Sequence, residues 1–262
     1  MERMSHVLNR QERSGVERSE YDKLDRVEDR MWWFAALHRN LLTLSGWSPS
    51  GTENLPVLDA GCGTGGFLAR FAGTYPERAI FGLDLDPTAC VRAVAKSARP
   101  VCVGSLDKLP FADDAFATII SADVLCHDGV NEYLALRQFH RCLAKDGWLI
   151  LNLPAYRWML SRHDAAVHNV RRYTANSLRS LLHSAGFATV YVSYWNAILF
   201  PLMVVTRKRS SGSASDVKLY TRPIDVVCRS ATRVETALLR VGIRLPFGGS
   251  VIAIAKRGIA HG

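Results

Sequence analysis

Apolar residues along this chain follow two alternating periods. Short apolar runs over 55–60, 79–84, 100–104, 116–122 and 147–153 predict buried strands. Between them, apolar positions recur every three to four residues and predict helices over 64–74, 87–97 and 130–144. A further helix over 174–185, stopped by Gly186, leads to a strand over 187–194, and a last strand spans 250–256. Ahead of all these, Leu24, Val27, Met31, Phe34 and Leu41 predict a helix over Tyr21–Leu44, whereas residues 1–20 lack periodicity and read as disordered. Strand–helix alternation of this kind predicts an α/β fold: a doubly wound, mostly parallel seven-stranded sheet with helices on both faces. Residues 21–262 read as a single domain, and a ligand belongs at the carboxyl ends of the strands.

The first strand runs into Val57-Leu58-Asp59-Ala60-Gly61-Cys62-Gly63-Thr64-Gly65-Gly66-Phe67, and helical spacing begins at Phe67, Leu68 and Phe71. A strand that turns through glycines into a helix brings bare backbone close to a nucleotide-like ligand. Gly61, Gly63 and Gly66 fit G-x-G-x-x-G, which would bind a dinucleotide such as NAD. Asp59 argues otherwise, because a carboxylate at the root of the turn repels a pyrophosphate. It favours the ammonium and sulfonium of S-adenosylmethionine (SAM), and the dinucleotide stays as the alternative. Asp84 ends the second strand about 20 residues on, where a ribose-binding acid is expected.

With Leu109-Pro110-Phe111, Ala115-Phe116-Ala117 and Ser121-Ala122-Asp123-Val124-Leu125, these motifs resemble those of the class I SAM-dependent methyltransferases over about residues 55–155. Ala117 stands where that family carries an aspartate. The resemblance implies a Rossmann-like fold with SAM as cofactor. Its methionine portion would lie over Gly61, Cys62, Gly63 and Gly65, with Asp59 on the ammonium and Asp123 facing the same end. Asp84 would take the ribose hydroxyls, and Leu85 would lie against the adenine. Ser105, beside Leu106, occupies the place of the family's aspartate for the adenine amino group. In Trp32-Trp33-Phe34, consecutive aromatics cannot all face one core, so Trp33 is expected to close the cofactor site.

Charge separates the cofactor question from the partner question. The chain carries a net +9, and from Trp195 onward eleven Lys/Arg face three Asp/Glu, so nearly all of the excess is C-terminal. Residues 195–249 form an unusually long connection before the last strand, read as a basic helical insertion or cap. Ala197–Val205 is apolar, far short of the ~20 residues that span a bilayer, and it runs into Arg207-Lys208-Arg209. Ser210–Asp216 reads as a linker. Pro223–Gly242 then predicts an amphipathic helix, with Ile224, Val227, Cys228, Ala231, Val234, Leu238 and Val241 on one side and Arg222, Arg229, Arg233, Arg240 and Arg244 on the other. Two readings stay open: a cap with its apolar face buried, or contact with an anionic membrane surface through 197–244. No signal-peptide pattern begins the chain, and six scattered cysteines without C-x-x-C pairs read as reduced thiols, so a cytoplasmic location without a metal site is expected.

Candidate chemistry follows the strand ending at Leu153. Pro154-Ala155-Tyr156-Arg157-Trp158 leads to His163-Asp164, His168 and Arg171-Arg172-Tyr173, and resembles a segment of some class I methyltransferases. His163 or His168 is the expected general base, with Asp164 orienting a ring and Arg171 or Arg172 holding an anionic group. Tyr173, and His127 after the fourth strand, are further catalytic candidates. The expected function is methyl transfer to a small-molecule acceptor, lipid-borne or carrier-linked, with oxygen favoured by the histidines. The alternatives are an RNA methyltransferase, for which no recognised nucleic-acid module exists in the sequence, or a partner-dependent SAM-binding protein without catalysis.

Overall fold

The computed structural model describes residues 25, 27–47, 54–161, 164–165, 168–209 and 220–258, apart from the side chains of 207–209. The expected disorder of 1–20 and the 210–216 linker lie outside the described residues. Helix α1 (Trp32–Ser45) is followed by β1 (Val57–Ala60), α2 (Gly66–Thr74), β2 (Ile80–Asp84), α3 (Pro87–Ser97), β3 (Val101–Val103) and β4 (Phe116–Ala122). Then come α4 (Glu132–Cys142), β5 (Leu143–Pro154), a 3₁₀ turn at Arg157–Met159, α5 (Ala175–Ser184), β6 (Phe187–Trp195), α6 (Phe200–Arg209), α7 (Arg222–Arg240) and β7 (Ser250–Arg257). The strand order is β3-β2-β1-β4-β5-β7-β6, with β7 antiparallel to both neighbours and every other pair parallel. The seven-stranded, mostly parallel sheet expected from the sequence is therefore present, and its chain order reverses between β1 and β4.

Strand alternation divides the core in two. Leu58, Ile119, Leu149 and Leu151 meet α4 and α5 through Leu136, Phe139, Leu178 and Leu182. Their neighbours Val57, Ile120 and Ile150 point the other way, onto Leu37 and Leu41 of α1 and Phe67 and Phe71 of α2. Each such fully buried side chain contributes roughly 1.5–3 kcal/mol. Local signals set the helix starts. Asp86 accepts the Thr88 and Ala89 N–H groups ahead of Pro87, Asn131 does the same for α4, and Thr174 and Ser177 form a capping box on α5.

Two expectations change. The helix over 21–44 is broken, because Met31 is extended (φ −74°, ψ 132°) and α1 starts only at Trp32. The break lets the preceding turn fold inward: Glu28 accepts the Thr64 hydroxyl at 2.7 Å and the Lys96 ammonium at 2.8 Å. The second change concerns α7, whose apolar side is only partly its buried side: Cys228 is buried and Ala231 and Leu238 half-buried, but the rest of that side is not. Cys228, Thr232, Glu235, Thr236 and Leu239 face the fold, while Ile224, Val227, Val234 and Val241 are exposed. The seam against α1 is made of hydrogen bonds instead. Arg39 donates to Thr232 and Thr236 at 3.2 Å each, and Thr236 donates to Asn40 at 2.6 Å. A polar seam satisfied in this way outcompetes the apolar stripe for the buried face and leaves that stripe on an open flank.

Candidate active site

The glycine turn is built for close approach. Gly61 and Gly65 both have φ of 87°, a region that side chains rarely adopt. A Cβ on Gly61 would lie 2.3 Å from Val124, and one on Gly65 would lie 2.6 Å from the Ala93 backbone in α3. The Gly61 and Cys62 N–H groups donate to the Leu83 carbonyl at 2.7 and 3.0 Å, locking the turn to β2. Asp84, at the end of that strand, accepts the Gly63 N–H at 2.8 Å and the Asp86 N–H at 3.0 Å. Its carboxylate is thereby held rigidly at the carboxyl edge of the sheet.

Asp59 is the electrostatic centre of this end. It is buried, and its Oδ2 has no hydrogen-bond partner among the described residues. Burial, reinforced by Asp84 and Glu28, pushes its pKa up to about 8. Such a carboxylate lacks a positive partner. A cationic ligand group beside it would supply one, whereas an anion would worsen the repulsion. The donor set thus fits the ammonium of SAM and opposes a dinucleotide pyrophosphate.

A cavity of about 950 Å³ opens along the carboxyl ends of β1, β2, β3, β4 and β5. Asp59, Gly61, Cys62, Gly63 and Asp84 line it, as do Leu85, Ser105, Leu106, Asp123 and Trp33. Gly65 is not on its wall, and its missing side chain serves the α2–α3 packing against Ala93. Trp33 packs on Trp195 with ring centroids 5.7 Å apart.

At the far side of the sheet's reversal point, Asp123 leaves β4 in a left-handed conformation (φ 56°). Its backbone N–H donates to the Asn152 carbonyl at 2.8 Å. The Asn152 amide donates to Asp123 Oδ2 at 3.0 Å, and the Trp195 indole donates to Asn152 at 2.7 Å. Burial raises the Asp123 pKa to about 7, with Asn152 and Arg172 opposing the rise. His127 and His168 line the same cavity, brought together by a backbone bridge between His127 and Asn169.

Other residues of this loop are committed elsewhere. Among the described residues Asp164 is tied to Arg172 and Ser161: both oxygens accept from Arg172, at 2.7 and 3.0 Å, and Oδ2 also accepts the Ser161 N–H and hydroxyl. Burial alone would raise its pKa, but the Arg172 guanidinium and Ser161 hold it below the usual range. Arg171 does not reach for an anion, because its guanidinium donates to the carbonyls of Leu125, His127 and Val130 and so clasps the loop after β4. Tyr173 is a core residue whose hydroxyl donates to Glu132 and lies 3.1 Å from the Leu125 carbonyl, and burial followed by Glu132 raises its pKa. His163 lies outside the described residues.

Residues 58–151 match the model of the methyltransferase domain family. That stretch is a methyltransferase domain, and the fold around it is the Rossmann-like fold of the class I SAM-dependent methyltransferases. Among curated proteins, this chain is 28% identical over 182 residues to the malonyl-[acyl-carrier protein] O-methyltransferase of Geobacter sulfurreducens, covering 61% of this chain and 66% of that protein. It is 31% identical over 142 residues to the protein of the same name from Dechloromonas aromatica, covering 51% of this chain and 52% of that protein. The chain thus spans about half to two thirds of the length of these relatives. Among solved structures, it resembles the methyltransferase in a complex with the Haloferax volcanii Trm112 methyltransferase activator. The TM-score is 0.60 and the identity 18%, over 93% of this chain and 96% of that one. At that identity the likeness shows the fold alone.

Four residues on or near the cavity carry no motif signal. Glu28 clamps the glycine turn from a segment that reads as ordinary helix. His38 lines the cavity fully buried, and desolvation, with Arg70 and Lys96 nearby, lowers its pKa to about 3. Asn152 and Asn196 sit within or just past apolar strands, where a single amide looks like a strand end. Only the three-dimensional meeting of separate strands makes them part of the site.

Proposed function

We propose that this methyltransferase moves the methyl group of SAM onto an oxygen of an acceptor held near Asp123 and the His127–His168 loop. What carries the reading is Asp59, a buried carboxylate with an unpartnered oxygen in the cavity wall at the root of the glycine turn. In this reading Asp59 and the Gly61–Gly63 backbone hold the methionine end, and Asp84 takes the ribose hydroxyls. Leu85 lies on the adenine, Ser105 and Leu106 close that side, and Trp33 covers the site. Bound SAM supplies an electrophilic methyl on a sulfonium. The chain's own task is to place the acceptor oxygen in line with the carbon–sulfur bond, an orientation effect of roughly 7–11 kcal/mol. The oxygen lone pair forms the new bond and the broken bond's electron pair returns to sulfur; a carboxylate acceptor has no proton to lose, whereas a hydroxyl acceptor passes its proton to His168 or His127.

The acceptor in this proposal is small, lipid-borne or carrier-linked. The curated relatives are named for a carrier-linked substrate and O-methylation, and α6 and α7 give this chain an apolar cap over the cavity. No helix among the described residues is long and apolar enough to cross a membrane. The outward stripe of α7 and its arginines instead support contact with an anionic membrane surface from the cytoplasmic side. A partner-dependent enzyme is the second reading, favoured by the same exposed stripe. The test supplies methyl-labelled SAM with malonyl-loaded acyl carrier protein or hydroxylated amphiphiles. Label should appear on oxygen, and with the hydroxylated amphiphiles His168→Ala or His127→Ala should lower kcat more than about tenfold while affinity for the demethylated product (SAH) is kept. Label on nitrogen only, or two alanine variants at full rate on those amphiphiles, would reject the assignment.

A further inference from the structure

Beyond the cofactor end, the cavity continues between α6 and α7 along a wall of Leu199, Leu202, Met203, Ile224 and Cys228. Leu202 and Ile224 line the cavity yet are 62% and 48% exposed, so they stand at its mouth. The apolar surface does not end there. Val205 on α6 and Val227 on α7, both exposed, carry it outward. A compact polar acceptor would gain nothing from this wall and would leave its lip wet.

The inner end of the same passage has the opposite character. Asn196 follows β6 in a left-handed conformation (φ 58°) and lines the cavity. It is buried, and its Oδ1 has no partner among the described residues. Its position is set from α7. The buried Glu235 carboxylate accepts the backbone N–H of Asn196 and, at 2.8 Å, that of Ile198. Asn196 is also next in sequence to Trp195, whose indole reaches Asp123 through Asn152. A preset acceptor atom of this kind asks for an O–H or N–H donor on whatever fills the passage.

We infer that the α6–α7 passage is a binding site for a linear hydrocarbon chain, and that the acceptor is an amphiphile whose donor-bearing head meets Asn196. This rests on the methyl-transfer reading and names its substrate class. Met203 and Gly249 line this passage together: the Met203 Cε lies 2.6 Å from where a Cβ on Gly249 would stand, so a flexible thioether packs over the glycine. The chain leaves past Leu202 and past Ile224, which is two residues from the exposed Arg222. An amphiphile could be delivered there from a lipid surface or from a soluble carrier.

The test is calorimetric titration of the SAH-loaded full chain with n-alkanols from hexanol to dodecanol, and with their methyl ethers. Affinity should rise by up to about fourfold per added methylene. The ethers, which lack the donor, should bind about tenfold more weakly. Asn196→Gly, which keeps the backbone conformation, should erase the alkanol–ether difference. Met203→Trp should cost dodecanol at least about tenfold with SAH affinity unchanged, and Leu202→Ser, at an exposed position, should cost it severalfold without touching the fold. Co-sedimentation with anionic vesicles would mark a lipid surface as the source, and its absence a soluble carrier; both fit the same site. Affinity independent of chain length, ethers equal to alkanols, or no loss in both Met203→Trp and Leu202→Ser would overturn the proposal while SAH binding stands. Failure of the wild-type chain to bind SAH would overturn the methyl-transfer reading and this proposal with it.

Discussion

The two ends of the cavity are made in different ways. At the cofactor end, Asp59, Gly61, Gly63 and Asp84 come from two consecutive strand–turn units and are held by backbone geometry: the Gly61 and Cys62 amides on Leu83, and the Gly63 amide on Asp84. At the end proposed for the acceptor, Asp123, Asn196, Met203 and Ile224 line the cavity from separate parts of the chain and are held by side chains, with Asn152, Glu235 and the Asp164–Arg172 pair as the ties. The first end is a local device with acidic charge. The second is a product of tertiary packing with an apolar wall. A sequence pattern can therefore define what donates the methyl group long before it defines what receives it.

The contrast breaks most visibly at the ties. Asp164→Ala removes the carboxylate paired with the buried Arg172 guanidinium, and about 3–5 kcal/mol of stability should be lost in a denaturant titration. Molecules that remain folded should bind SAH normally, because the cofactor end does not depend on that pair. Equal losses of stability and SAH affinity would show that the two ends are one unit.

Next in size is Asp84→Ala. Two ribose hydroxyls on one carboxylate are worth about 1.5–3 kcal/mol each, so SAH affinity should fall at least about a hundredfold by calorimetry. Alkanol binding in the α6–α7 passage should change little.

Asp59 sharpens the comparison through pH. Its folded pKa of about 8 lies above the usual carboxylate range, so the free protein holds a proton there that the unfolded chain releases. Stability contributed by that proton is complete below the unfolded pKa and is lost as pH rises through 8. Asp59→Asn should therefore raise Tm at pH 8.5 by roughly 10 °C and hardly change it at pH 4. In the wild type, an ammonium ligand requires the ionised carboxylate, so SAH affinity should climb by up to about tenfold per unit toward pH 8. In Asp59→Asn that climb should be absent.

The smallest effect belongs to the outward stripe of α7. Val227→Ser and Val234→Ser should shift stability by less than about 0.5 kcal/mol, because both side chains are exposed. A loss typical of a core valine would place them against a packed neighbour instead.

How legible each part was follows the same division. The strands and helices from Val57 to Cys142 were readable because each has one period, and α3 and α4 also have clear caps in Asp86 and Asn131. The glycine turn and Asp84 were readable because their spacing is fixed by one strand–turn–helix unit. The facing of α7 was not. Hydrophobic periodicity reports which residues share a side, while the buried side was decided by Arg39 and Asn40 on α1 meeting Thr232 and Thr236. Arg171, Tyr173 and Asp164 looked catalytic by residue type, but their partners, the Leu125 carbonyl, Glu132 and Arg172, absorb them into the loop scaffold. Glu28 and Asn196 were silent because a single carboxylate or amide has no spacing to betray it.

The most direct test of the account is a calorimetric titration of the full chain at pH 8 with SAM, with NAD as the control. Binding of one SAM per chain, none of NAD, and loss of SAM binding in Asp84→Ala is the predicted result. Binding of NAD in place of SAM would contradict the charge argument built on Asp59, and with it the reading of the whole cavity.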